Sequence, residues 1–368
     1  MAKRWSWIPD AEQELLLRAA LDEGPEALSA WRRWRRGRPL ASIDNVGHQV
    51  LPLVYRNLSA LEPENPDLGL LRGVYRYTWS RNKLLMHMGS RALGLFEEAG
   101  IETVLIKGAA MLATGIQPDA GARPMTDFDV MVPNSRAHDA ISALEAGFSP
   151  HPDLPHPHRR VAVHHSAPFV DGAGNELDLH WYALNRSSPD DDFWAASAPL
   201  ELAGRRARAP DPTDQLLQCC VHGAVWSPSG PLRWIADAIT ITRACEGGLD
   251  WDRLAFQAEK RRLTLTVGES LAYLRDTFGT PVPSTCLQTL RATSVPLSER
   301  ATRRALRSQQ TPVRMLVLHW DRYRRLKRLD PSAPRHPSFP AQMRSYWGDD
   351  NYADFSRHAL RYLLGAGR

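Results

Sequence analysis

The run Asp127-Phe128-Asp129-Val130-Met131-Val132 constrains the fold of this chain more than any other. Successive side chains of a strand point to opposite faces, so Asp127 and Asp129 share one face while Phe128, Val130 and Val132 turn the other way, into a core. Two like charges side by side on a buried strand make sense chiefly where a divalent cation sits between them. Short Asp-x-Asp matches also arise by chance at solvated strand ends, so the flanking residues must decide.

Upstream, Thr103-Val104-Leu105-Ile106 reads as a short buried strand running into Lys107-Gly108 and an apolar helical segment, Ala109 to Thr114. A strand, a glycine turn and a helix start form an anion-binding corner, with backbone N–H groups and a lysine turned to phosphate. Downstream, Val161 to Val170 and Glu176 to Tyr182 alternate and are joined by Asp171-Gly172-Ala173-Gly174, a hairpin turn signal. In the second of these strands Glu176, Asp178 and His180 share one face and Leu177, Leu179 and Trp181 the other. Asp178 is thus a third carboxylate from a neighbouring strand. Arg123, just before the aspartates, has the planar fork that suits phosphate, and pairing with Asp127 or Asp119 is its structural alternative.

These motifs in combination resemble the largely uncharacterised bacterial nucleotidyltransferase family of the polymerase-β-like superfamily. The residues that carry the resemblance are Lys107-Gly108 with its apolar helix, Arg123-Pro124-Met125-Thr126-Asp127-Phe128-Asp129-Val130-Met131-Val132, and Leu177-Asp178-Leu179-His180-Trp181. It spans roughly residues 45 to 245. It implies an α+β fold in which a small mixed sheet binds two Mg²⁺ ions and a nucleoside triphosphate through Asp127, Asp129 and Asp178. One departure from the wider superfamily is that Lys107-Gly108-Ala109 stands where a Gly-Ser usually opens the first helix. A histidine and an Arg-Trp-x-x-Asp-like segment follow the catalytic sheet in the resembled family, which places His222, Arg233 and Asp237 on the nucleotide side of a cleft. The alternative is that these three residues tie two helices together.

With 368 residues the chain exceeds the usual single-domain size. Periodicity makes 10–36 and 68–98 helical, the second with Leu85, Met88, Ala92 and Phe96 on one stripe before Gly100 ends it. A linker, Glu62 to Asp67, separates them. A helix of about 135–146, capped by Asn134, lies within the sheet region. Asp211-Pro212-Thr213-Asp214 starts a further helix with Leu217, Cys220, Val221 and Ala224 as its buried stripe. The expected division is an N-terminal helical region at 1–98, a catalytic core at 99–210 and a C-terminal helical domain at 211–368, whose last part around Pro331 to Pro337 is loop-rich.

Composition is ordinary for a globular chain, 43% hydrophobic and 24% charged. Cys219, Cys220, Cys245 and Cys286 include no Cys-x-x-Cys, so no disulfide framework or zinc site is expected and a reducing cytoplasm fits best. The first residues, MAKRWSWIPDAEQELL, lack an apolar segment of signal-peptide length, and no run of about 18 apolar residues suggests a membrane span. The net charge of +5 comes from arginine clusters such as Trp31-Arg32-Arg33-Trp34-Arg35-Arg36 and Arg322 to Arg328. No nucleic-acid-binding motif accompanies them, so they read as helix faces with Trp31 and Trp34 packed and the arginines in water. The histidines His151, His156, His158, His164 and His165 fit no zinc spacing; they read as a loop bordering the site, with His164 or His165 turned to the substrate.

The expected activity is Mg-dependent transfer of a nucleoside monophosphate from a triphosphate to a hydroxyl of a small molecule, peptide or protein, with release of pyrophosphate. In it Lys107 neutralises the triphosphate and Asp178 accepts the hydroxyl proton. A regulatory or antitoxin-like nucleotide-binding module is the alternative, and action on RNA ends a third. The intact carboxylate set argues against the module, which would gain nothing from clustered negative charge.

Overall fold

In the computed structural model, residues 7–184, 189–225, 230–307, 311–329, 337–349 and 351–363 are described. Seven strands form one mixed sheet: β1 (Val104–Leu105), β2 (Asp127–Met131), β3 (Ser149–Pro150), β4 (Ser166–Val170), β5 (Glu176–His180), β6 (Ala198–Leu202) and β7 (Arg205–Ala209). Their order is β3-β4-β5-β2-β1-β7-β6. The central strand β2 pairs antiparallel with β1 and parallel with β5. The β4–β5 hairpin follows from its turn residues. Asp171 accepts backbone N–H bonds from Ala173 and Asn175 through Oδ1, and the Gly174 N–H closes onto the Asp171 carbonyl.

Alternation along β2 and β5 sends the two sets of side chains to different cores. Phe128, Val130, Leu177 and Leu179 pack beneath the long helix Leu68–Glu98, against Leu85, Met88, Ala92 and Phe96, with Ile141 and Leu144 of the helix Ala137–Leu144. The approach is close: a Cβ at Gly89 would lie 2.2 Å from Phe128 Cε2, so only glycine lets the helix rest on the strand. On the other face Met131, with Val104 and Ile106, joins a second apolar cluster. It draws Leu17, Leu51 and Leu58 from the N-terminal helices together with Leu217, Val221, Ile235 and Ile239 from the helices Pro212–Val225 and Leu232–Ala244.

Several local expectations are revised. The helix expected at 10–36 is two, Ala11–Leu21 and Gly24–Arg35, broken where Gly24 takes a positive φ of 57° and proline follows. A short 3-10 turn, Asn134–Arg136, precedes Ala137–Leu144, so Asn134 does not cap the α-helix. Strand pairing begins only at Ser166, because Pro157–Arg160 turns helical. The C-terminal part is more regular than expected, with helices Pro312–Leu329, Phe339–Trp347 and Tyr352–Leu363; residues 331–336 and the side chain of Ala224 lie outside the described residues.

Trp31 and Trp34 stack at 5.3 Å and are buried, with Arg32, Arg33 and Arg36 exposed. All four cysteines are free thiols. Among the described residues no helix is long and apolar enough to cross a membrane.

Candidate active site

The parallel register of β2 and β5 sets Asp129 directly opposite Asp178 and Asp127 opposite Glu176. Asp129 and Asp178 therefore face one another across the sheet from residues 49 positions apart, and Asp127 lies two residues away on the same face. Three groups offset this charge. Lys107 Nζ lies 2.5 Å from Asp129 Oδ1. His180 Nε2 lies 2.9 Å from Asp178 Oδ2 and 3.1 Å from Asp129 Oδ1, so this nitrogen carries the proton and donates to the carboxylates. Thr126 donates its hydroxyl to Asp127 Oδ1 at 2.9 Å.

The protonation balance follows from that geometry. Burial and the charge of Asp129 push the Asp127 carboxyl up to about 6. For Asp178 burial works in the same direction, but the His180 and Lys107 charges outweigh it and hold the carboxyl below its usual range. Asp129 is likewise lowered: desolvation is overcome by Lys107 and His180. Burial works against the Lys107 ammonium, yet the three aspartates together raise its pKa.

A cavity of about 330 Å³ opens on this face. The helices Pro212–Val225 and Leu232–Ala244 form its far wall. The nine residues expected to act in catalysis, metal binding or nucleotide binding all line it: Asp127, Asp129, Asp178, Lys107, Gly108, Arg123, His222, Arg233 and Asp237. They do not all stand free. Arg123 closes on Asp237 with two bonds, Nε to Oδ1 at 2.8 Å and Nη2 to Oδ2 at 2.7 Å, both side chains being buried. It pairs with neither Asp127 nor Asp119; Asp119 instead takes the Tyr75 hydroxyl and Arg56. Gly108 is what admits this arginine, since a Cβ there would lie 2.1 Å from Arg123 Nη1.

Arg233, four residues before Asp237 on the same helix, keeps its charge toward the cavity, and its buried Nε has no hydrogen-bond partner among the described residues. Burial and the neighbouring Arg123 lower its pKa. Burial also lowers His222, to about 3, so it presents a neutral ring. The corner at Lys107 differs from its expected form: the Lys107 N–H donates to Gln218 Oε1 at 3.3 Å and its ammonium turns onto Asp129.

Two residues take parts the sequence left unassigned. His180 shares the Asp178 face by its i+2 spacing, but only the β2–β5 register brings it between two carboxylates. Gln218 bridges the Lys107 backbone and the Ala183 carbonyl from a helix more than a hundred residues away, which no local signal announces. Of the two candidate histidines His165 lines the cavity, edge-on to His180 at 5.3 Å.

The carboxylate group fits a hard divalent cation. Oxygens of Asp129 and Asp178 and a ring nitrogen of His180 lie within 4.8 Å of one another, and Asp178 Oδ1 is buried with no hydrogen-bond partner among the described residues. An orphaned carboxylate oxygen in a dry site is costly unless a cation takes it, and an oxygen-rich donor set suits Mg²⁺ or Mn²⁺. Asp127 stands outside that closest group and lines the cavity beside it. No zinc-ligand geometry appears at His151, His156 and His158 among the described residues.

Residues 46–279 match the model of a family described as "Uncharacterised nucleotidyltransferase". A crystal structure of an antigenic nucleotidyltransferase-like protein from Paracoccidioides brasiliensis aligns over 58% of this chain and 94% of its own, at 14% identity and a TM-score of 0.37. No curated protein matches the chain in sequence.

Proposed function

The chain belongs to this family of uncharacterised nucleotidyltransferases, and on that premise we propose that it transfers a nucleoside monophosphate from a triphosphate to a hydroxyl group, releasing pyrophosphate. The observation that carries the reading is the convergence of Asp127, Asp129 and Asp178 beside a cavity whose opposite wall presents Arg233. Buried negative charge of this density serves little purpose in a fold unless cations and phosphates use it.

Asp129 and Asp178, with Asp127 beside them on the same face, would hold Mg²⁺. When bound, the metal supplies positive charge to the triphosphate and to the α-phosphorus as it is attacked. Lys107 leaves Asp129 for the phosphates as that charge is neutralised. Arg233 meets the outer phosphates, and the Arg123–Asp237 pair holds the helix that carries it. His222, neutral, offers a hydrogen bond rather than a charge. The acceptor oxygen forms its bond to the α-phosphorus, the bond to the bridging oxygen breaks, pyrophosphate leaves, and the hydroxyl proton passes to a carboxylate of the site, Asp127 or Asp178. Residues 99–210 form the catalytic core in this reading, flanked by helical regions at 1–98 and 211–368.

The experiment is release of pyrophosphate from each of the four ribonucleoside triphosphates, with Mg²⁺ and a panel of hydroxyl-bearing acceptors, for the wild type and Asp129→Asn. Release that needs both the metal and Asp129 supports the transferase. Nucleotide binding without release under any acceptor favours a regulatory module.

A further inference from the structure

A second cavity, of about 400 Å³, backs onto the same carboxylates. It shares Asp127, His165, Ser166 and Asp178 with the first, so these residues form a common wall between two chambers. A transfer between two substrates suits that arrangement: a donor on one side, an acceptor on the other and the reacting atoms held together at the partition.

The second chamber has a chemistry of its own. Arg160, at the end of the helix Pro157–Arg160, donates Nε to the Ser166 carbonyl at 3.2 Å and forms no ion pair among the described residues. Arg322, from the helix Pro312–Leu329, lies over the ring of Tyr346 at 4.6 Å and donates to the Val163 carbonyl at 3.3 Å. Tyr346 stacks on His164 at 4.4 Å. Burial disfavours the charge on Arg160, an unfavourable position that an incoming anion would relieve. Three carboxylates also line the chamber. Asp127 and Asp178 belong to the shared wall, and Glu176 is exposed at the outer end of β5. Once the wall aspartates are committed to a cation, the Arg160 guanidinium is the charge that an incoming molecule meets, with Arg322 in the same lining.

We propose that this chamber is the acceptor subsite and that the acceptor carries an anionic group, carboxylate or phosphate, held by Arg160 and Arg322 beside Tyr346. The inference rests on the transferase reading above and deepens it by naming the acceptor's chemistry. Arg322 and Tyr346 lie beyond residues 46–279, so the acceptor is chosen in part by helices outside the family-matched segment. Guanidinium forks favour oxyanions through paired, charge-assisted bonds, and neutral polyols gain nothing comparable there.

The test titrates glycerol 3-phosphate, glycerate and glycerol into the protein loaded with Mg²⁺ and a non-hydrolysable triphosphate analogue. One or both anionic probes are expected to bind in preference to glycerol, and the better of them identifies the anion. Arg160→Gln/Arg322→Gln should weaken that binding about tenfold or more while leaving the analogue's affinity unchanged. Arg160→Lys, which keeps the charge, should retain part of it and guards against a folding defect. Equal binding of glycerol, no anionic binding, or anionic binding that survives the double variant would overturn the proposal. Should the analogue fail to bind, the transferase reading fails by itself; inorganic phosphate titrated into the nucleotide-free protein then decides the anion site, by whether the double variant abolishes its binding.

Discussion

Arg123 and Asp237, 114 residues apart, form a two-bond ion pair at 2.8 and 2.7 Å in the wall of the site, with both side chains almost withdrawn from water. Removing one partner of such a pair strands a buried charge, which costs roughly 3–5 kcal/mol. Asp237→Ala should therefore lower the urea midpoint markedly. An unchanged midpoint would mean that the pair does not hold the two parts of the site together.

Arg233 stands one helical turn from Asp237 yet is expected to behave in the opposite way. Its Nε has no partner to lose, so Arg233→Gln should leave thermal stability level or slightly raised. Nucleotide affinity should fall about tenfold or more, as expected for a charge-assisted contact to phosphate. A calorimetric titration beside a melting curve separates the two effects; a stability loss with unaltered affinity would place Arg233 in the scaffold.

Lys107 neutralises the aspartates when its ammonium rests on Asp129. In Lys107→Gln only His180 still offsets the three carboxylates, so the metal-free protein should melt several degrees lower. Because Mg²⁺ then replaces the missing charge, it should raise the melting temperature of the variant by more than that of the wild type. An equal response in both proteins would show that lysine and cation do not share a position.

The C-terminal helices should be sensitive to acid. Burial and the charge of Arg322 bring His319 down to about 4, against an ordinary histidine value near 6.5. Between these two values the unfolded chain takes up a proton that the folded one refuses, so stability falls as the pH drops through that window. At pH 5 the loss is about 2 kcal/mol. The melting temperature should show less dependence on pH between 7 and 5 in His319→Gln, and an identical slope would assign the effect elsewhere.

The sheet face was legible because a strand repeats every two residues: Asp127 and Asp129, and independently Asp178, had to share faces with the apolar residues turned away. The hairpin was legible from Asp171 to Gly174. The break at Gly24-Pro25 had its signal too, which the longer helical periodicity masked. What the sequence could not supply was pairing across distance. Asp178 opposite Asp129 depends on a parallel register, and Arg123 on Asp237 depends on how the helix Leu232–Ala244 crosses the sheet. Both were settled by packing, to which no local propensity points. The same applies to Arg322 and Tyr346, which line the second chamber from a segment whose own composition suggested only loops and a basic surface.

The most direct measurement is calorimetric titration of ATP, GTP, CTP and UTP, with and without Mg²⁺, into the wild type and Asp127→Ala/Asp129→Ala. Binding of at least one nucleotide that requires Mg²⁺ and disappears in the double variant is expected. Binding that is indifferent to the metal and unchanged by loss of both aspartates would contradict the carboxylate site as the place where the triphosphate is held.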